Sequence, residues 1–214
     1  MKNLLFFIGI SALAALSFTD PYTQAMMKGK DLLEQAQDQQ DFRAASNQFA
    51  RIAEREHDKW LPAYYAGYAM TMVAAMEATP EAKDEVLDHV QTYLDKIASI
   101  EHNECEALAL QGFVYMLRIS VDPATRGPEY SAMSAASLQK AKSLDENNPR
   151  VLHLLAQLSF GSAQFFGSDT SEACQLNDLS LEEFISRAKE VEDESLDPNW
   201  GQNMAQAFKA QCEN

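Results

Sequence analysis

Apolar residues recur at helical spacing along almost the whole chain beyond residue 20, and no segment of useful length alternates with period two. The two periods bury different faces, so a chain patterned this way can build helices that share a core but not a sheet. Residues 22–37 carry Ala25, Met26, Leu32, Leu33 and Ala36 on one stripe. Asp41 is positioned to cap a second helix with Phe42, Ala45, Phe49, Ile52 and Ala53 on its apolar face. Trp60-Leu61-Pro62 ends that hairpin and opens the next helix, because proline is favoured in a first helical turn. Residues 64–78 are dense in apolar and aromatic side chains and are expected to be buried on two sides. Thr79-Pro80-Glu81 starts a fourth helix with Val86, Leu87, Val90, Leu94 and Ile97 as its stripe. A helix over 104–120, a loop through Pro123, Gly127 and Pro128, and a helix over about 129–144 follow. Asn148-Pro149 begins a helix to residue 163. Gly161, Gly167, Ser168 and Asp169 then lead to a less regular hairpin of 179–191 and 198–212. With 8 Gly and 7 Pro in 214 residues, and 46% of them hydrophobic, the chain has enough apolar matter for a core, and disorder is a poor fit.

The first 17 residues have the layout of a secretory signal peptide. Lys2 supplies the positive end, LLFFIGISALAAL over 4–16 the apolar run, and Ala12, Ala14, Ala15 and Ser17 the small residues for cleavage after Ala14 or, preferably, Ser17. The run is shorter than the roughly 20 residues of a spanning helix. The expected mature chain is therefore one helical domain over 18–214, exported to a periplasmic or secreted location and not membrane-spanning. No cysteine stands near the cleavage region to receive a lipid. The net charge of −15, or −16 once Lys2 is removed, excludes electrostatic nucleic-acid binding, which needs a concentrated basic face. Asp88, Asp95, Glu182, Glu183, Glu190, Glu192, Asp193 and Glu194 read as a solvated face.

Export gives the three cysteines meaning, because disulfides persist in oxidising compartments. Cys105 sits in the apolar pattern Cys105, Leu108, Ala109, Gly112 typical of a packed thiol. Cys174 and Cys212 flank the last segment and are the pair expected to be bridged, three free thiols being the alternative.

The helical stripes repeat. Mid-helix small or apolar residues of the first helices fall at Leu33, Ala69, Gly112 and Ala156, and bulky residues of the second helices at Phe49, Leu94, Leu138 and Phe184. The spacings are 36, 43 and 44, then 45, 44 and 46. With Ala45, Phe49 and Ile52 in one unit and Pro149, Leu152, Leu155, Ala156 and Phe160 in another, the chain resembles the tetratricopeptide repeat family. It departs from that family in its longer unit, against about 34 residues, in Leu152 and Ala156 where an aromatic and a glycine are usual, and in lacking the Trp-Leu-Gly signature. The resemblance covers about 22–191 and implies an all-α, TPR-like right-handed solenoid of about four antiparallel helical hairpins, whose first helices line a concave binding surface.

On that expectation Tyr64, Tyr68, Met72, Tyr115, Arg118, Gln157 and Gln164 lie on first helices as candidate partner-binding residues, with tyrosine offering a large apolar face and a hydroxyl. The competing reading of Tyr65, Tyr68 and Met72 is ordinary core packing at helical spacing. The usual zinc, hydrolase and phosphate-loop motifs are absent. Two Ser-x-x-Lys tetrads, Ser137 with Lys140 and Ser186 with Lys189, lack the companion motifs of penicillin-binding enzymes. His102, Glu104, Cys105 and Glu106 straddle a helix start and diverge, so no metal and no cofactor is expected. The expected function is a non-catalytic binding or scaffold protein holding a protein or peptide partner in the cell envelope. The alternative is a soluble receptor or chaperone for a small organic ligand, of the kind associated with solute uptake.

Overall fold

The computed structural model describes residues 20–100, 103–189 and 195–213. The expected signal peptide lies outside them, as do His102 and the acidic residues Glu190, Glu192, Asp193 and Glu194. The described residues form nine helices and no strand: α1 (Pro21–Gln35), α2 (Gln39–Ala53), α3 (Trp60–Met76), α4 (Pro80–Ala98), α5 (Glu104–Val121), α6 (Pro123–Leu144), α7 (Pro149–Phe166), α8 (Ser171–Ala188) and α9 (Gln202–Cys212). Each packs on its successor, and α3, α5, α7 and α9 also touch in series.

The helix starts follow from a repeated local device. Asp20, Thr79, Asp122 and Asn148 each accept a backbone N–H of the first turn, and each is followed directly by proline. The cap of α2 is Asp38 and not Asp41. Asp38 accepts the Asp41 N–H at 2.9 Å while the Asp41 carboxylate accepts the Gln37 N–H at 3.0 Å, a reciprocal arrangement that shifts the start by three residues.

Four expected boundaries move, one of them the start of α8, which lies at Ser171 under the Thr170 N-cap and not at residue 179. Pro123, Gly127 and Pro128 are not a loop but the opening of α6, which leaves Asp122 as the single residue between two long helices. The fixed φ of Pro123 suits a first turn, and the one bond Pro128 forgoes, to the Ala124 carbonyl, lies in turns exposed to solvent. Helix α7 runs through Gly161 to Phe166 and stops at Gly167, whose φ of 68° favours glycine. There the Ser168 N–H donates to the Ala163 carbonyl at 2.8 Å and the Gly167 N–H to the Gln164 carbonyl at 3.3 Å. Pro198 does not start a helix. Residues 195–201 run as irregular chain that buries Pro198, Trp200 and Gly201, and α9 begins only after Gly201, at φ 108°.

Small residues do sit where helices cross, but not always at the expected positions. A Cβ at Gly29 would lie 2.5 Å from the Phe49 ring, one at Gly67 3.3 Å from Tyr93 Cβ, and one at Gly112 2.6 Å from Leu138. The close approaches of α1 to α2 and α3 to α4 therefore use Gly29 and Gly67, where sequence spacing marks Leu33 and Ala69. Gly112 coincides with its expected position.

A buried polar cluster ties the first turns of α3, α5 and α7 to the 195–201 segment. Glu106 accepts from Arg150 Nε at 2.8 Å and from its Nη2, from Asn148 Nδ2 at 2.7 Å and from the Tyr64 hydroxyl at 3.0 Å. Trp200 Nε1 donates to the Tyr64 oxygen at 2.8 Å, and its ring stacks on Tyr68 with centroids 4.5 Å apart. Burial alone would raise the Glu106 pKa, but the Arg150 guanidinium and the Asn148 and Tyr64 donors hold it below the usual carboxylate value. Lys30 and Tyr65 pin the same segment from below, Lys30 donating to the Ser195 carbonyl at 2.8 Å and Tyr65 to that of Asp197 at 2.7 Å.

Cys174 and Cys212 form the expected disulfide, with Cα atoms 5.8 Å apart, beside a small apolar cluster of Ala156, Phe160, Ala173 and Phe208. Cys105 is buried and free, its thiol donating to the Ala141 carbonyl at 3.3 Å, and burial first, then the Glu106 charge, pushes it up to about 12.

Candidate binding groove

The early start of α6 and the late end of α7 together build a concavity. Helix α5 contributes Met116, Ile119 and Ser120, helix α6 Pro123, Ala124, Gly127, Pro128 and Ser131, and helix α7 Gln157, Leu158, Gly161, Ser162, Phe165 and Phe166. The groove holds about 500 Å³, within the range of small-molecule sites. Its glycines leave it open, since a Cβ at Gly127 or Gly161 would meet nothing within 4 Å. Its rim is apolar and exposed. Phe165 and Phe166 are 70% and 77% accessible, stand edge to face with centroids 5.1 Å apart, and are presented by the Gly167 stop just beyond them.

Polar atoms punctuate this lining sparsely: the Ser120, Ser131 and Ser162 hydroxyls and the Gln157 amide. On the α4 side, Arg118 and Arg126 converge on Asp84, with 2.7 Å contacts from both guanidinium groups, and Arg118 also pairs with Asp88. The Asp84 pKa is lowered, chiefly by the Arg126 hydrogen bonds. A larger cleft of about 1000 Å³ runs between α1, the α7 start and the 195–202 segment, lined by charged residues including Lys30, Asp31, Glu34, Arg150 and Glu183. Lys30 and Arg150 already face intramolecular acceptors there, so the apolar groove is the better ligand site.

The sequence-derived candidates scatter. Tyr64 is fully buried and Tyr68 nearly so, and both pack in the core. Met72 packs, partly buried, against the same core. Tyr115 faces Tyr130, with centroids 6.0 Å apart, and Arg118 is engaged by Asp84 and Asp88. Gln164 is exposed on the last turns of α7 and does not line the groove, whereas Gln157 does. The residues that build the groove were hidden by the reading of Gly127-Pro128 as a loop. The available signal was Phe165-Phe166, two aromatics immediately before a glycine stop.

The Ser-x-x-Lys tetrad of α6 does not converge: Ser137 donates to the Leu108 carbonyl at 2.9 Å, and Lys140 pairs with Glu104. No group of three or more metal-ligating side chains occurs among the described residues, and no helix among them is long and apolar enough to cross a membrane.

No protein-family model and no curated protein matches the sequence. Among solved structures, the HusA haemophore from Porphyromonas gingivalis aligns with a TM-score of 0.78 over 90% of this chain and 92% of its own, at 24% identity. The two chains share a fold. The likeness extends over nearly the full length of both, so the α5–α7 region belongs to the shared architecture and is not an appendage.

Proposed function

We propose that this protein is an exported, non-catalytic binding protein whose α5–α6–α7 groove takes a flat, largely apolar ring compound of the porphyrin class, haem included. The observation that carries this reading is the groove itself: a three-helix concavity of about 500 Å³ with an exposed Phe165-Phe166 lip in an otherwise acidic chain. An extended aromatic ligand suits such a slot, because its faces bury against Ile119, Leu158 and the phenylalanines while its edges reach solvent. The fold shared with a protein named as a haemophore supports the ligand class, and the Cys174–Cys212 bridge supports an oxidising compartment. Of the two expected functions this is the small-ligand receptor. The repeat reading belongs to the same proposal: the serial contacts of α3, α5, α7 and α9 and the glycine crossings at 29, 67 and 112 support stacked TPR-like hairpins, with the ligand near one end of the stack.

Absorbance titration with haem and with metal-free protoporphyrin tests the proposal. The wild-type chain should perturb the porphyrin band saturably, and replacing Phe165 and Phe166 together with alanine should weaken binding about tenfold, the loss expected when about 60 Å² of apolar contact goes. Equal affinity in the double variant would remove the groove from consideration.

A further inference from the structure

The groove has a cation poised at its edge. Lys83, on the first turns of α4, reaches across to α5 and donates from Nζ to the Ser120 hydroxyl at 3.1 Å. Ser120, a groove-lining residue, in turn donates to the Leu117 carbonyl at 2.7 Å, so its oxygen is turned toward the ammonium and holds it at the lining. Nearby charges are already matched. Arg126 is bidentate to Asp84, Arg118 bridges Asp84 and Asp88, and the Asp122 carboxylate accepts the Thr125 N–H at the α6 start. No carboxylate lies within 4 Å of Lys83 among the described residues, and its side chain is only half-buried.

We infer that Lys83, positioned by Ser120, is a carboxylate-binding residue for the groove's occupant, which makes the ligand an amphipathic acid: an apolar ring body with at least one carboxylate at its edge. This rests on the ring-ligand reading above and deepens it. The ring lies against α6 and the Phe165-Phe166 lip of α7, and its acidic edge is directed to the α4–α5 side, where the Lys83 ammonium donates a charge-assisted hydrogen bond to it. Arg118 and Arg126 do not substitute, because their planar forks are locked on Asp84 and Asp88. They instead stiffen the rim on which Lys83 stands. The orientation follows from chemistry alone: the opposite placement would put carboxylates against Phe165 and Phe166 and leave the ammonium facing hydrocarbon.

The test compares metal-free protoporphyrin, a dicarboxylic acid, with its dimethyl ester on the wild-type chain and on Lys83→Gln, Lys83→Arg and, as a charge-matched control far from the groove, Lys28→Gln. The inference predicts that Lys83→Gln weakens the diacid about fivefold, the upper end for a partly solvated pair, that it leaves the diester unchanged, and that Lys83→Arg and Lys28→Gln bind both as the wild type does. Raising salt should shrink the wild-type preference for the diacid. If Lys83→Gln binds the diacid as tightly as the wild type, the carboxylate role falls while the ring site stands. If the wild type binds neither porphyrin, the ring site falls and the inference with it.

Discussion

Gly161→Leu separates the groove from the fold more sharply than any other substitution. Gly161 lies inside α7 with no atom within 4 Å of where its Cβ would be, and it lines the groove. A glycine in a helix interior is about 0.8 kcal/mol less favourable than leucine, and nothing in the neighbourhood opposes the new side chain. The variant should therefore melt about 2–4 °C higher, the shift such a gain produces in a chain of this size. The same isobutyl group projects into a space of about 500 Å³. Displacing about 60 Å² of ligand contact costs about 1.5 kcal/mol, or about tenfold in Kd. Calorimetric melting and porphyrin titration on the same preparation should move in opposite directions. A variant that gains stability and binds porphyrin as the wild type does would refute the assignment of the site to α5–α7, because stability rules out misfolding as the excuse.

Three further outcomes follow from the packing. Reducing the Cys174–Cys212 bridge, or replacing both residues with serine, should cost about 4 kcal/mol on the chain-entropy model for a separation of 38 residues; a melting temperature indifferent to dithiothreitol would contradict this. Glu106→Gln leaves the Arg150 guanidinium buried without its counter-charge, so denaturant unfolding should show a loss of about 3–5 kcal/mol. Since the native Glu106 pKa is lowered, the unfolded chain takes up this proton first, and the wild-type stabilisation should decline as pH drops below about 4. His153 predicts a second acid-sensitive window. Asn177 Nδ2 donates to the Ala205 carbonyl, so its oxygen accepts from His153 Nδ1–H at 2.8 Å, which leaves Nε2 buried and unpartnered. Burial lowers the His153 pKa despite that hydrogen bond. The unfolded state therefore binds more protons below about 6.5, and stability should fall from there toward the native value. His153→Leu should flatten urea-derived stability between pH 7 and 5, and an unchanged slope would count against the buried neutral imidazole.

The helical class was legible because burial imposes a 3.6-residue period that the stripes of α2 and α4 display without interruption. Chemistry local to the chain also carried the helix starts at Pro80 and Pro149. The groove was not legible, for the opposite reason. Gly127 and Pro128 have strong local preferences against helix, and only the Asp122 cap and the long contact of α6 with α5 overrule them. Tyr64 and Tyr68 illustrate a different limit. On a helix that is apolar all round, periodicity cannot say which side faces a partner, and their role is set by Trp200, which lies 136 positions from Tyr64. Glu106 read as one acid in a scattered cluster, because its partner Arg150 lies 44 positions away.

That Trp200 contact makes three helices depend on one distant side chain. The indole donates to Tyr64, stacks on Tyr68 and Phe113, and stands 5.9 Å from Arg150, so one side chain of the 195–201 segment closes over the polar cluster shared by α3, α5 and α7. Contacts between positions so far apart in sequence slow folding, because loop-closure entropy is lost before they form. The same stretch of chain is covalently fastened one helix further on, where Cys212 at the end of α9 is bonded to Cys174 of α8.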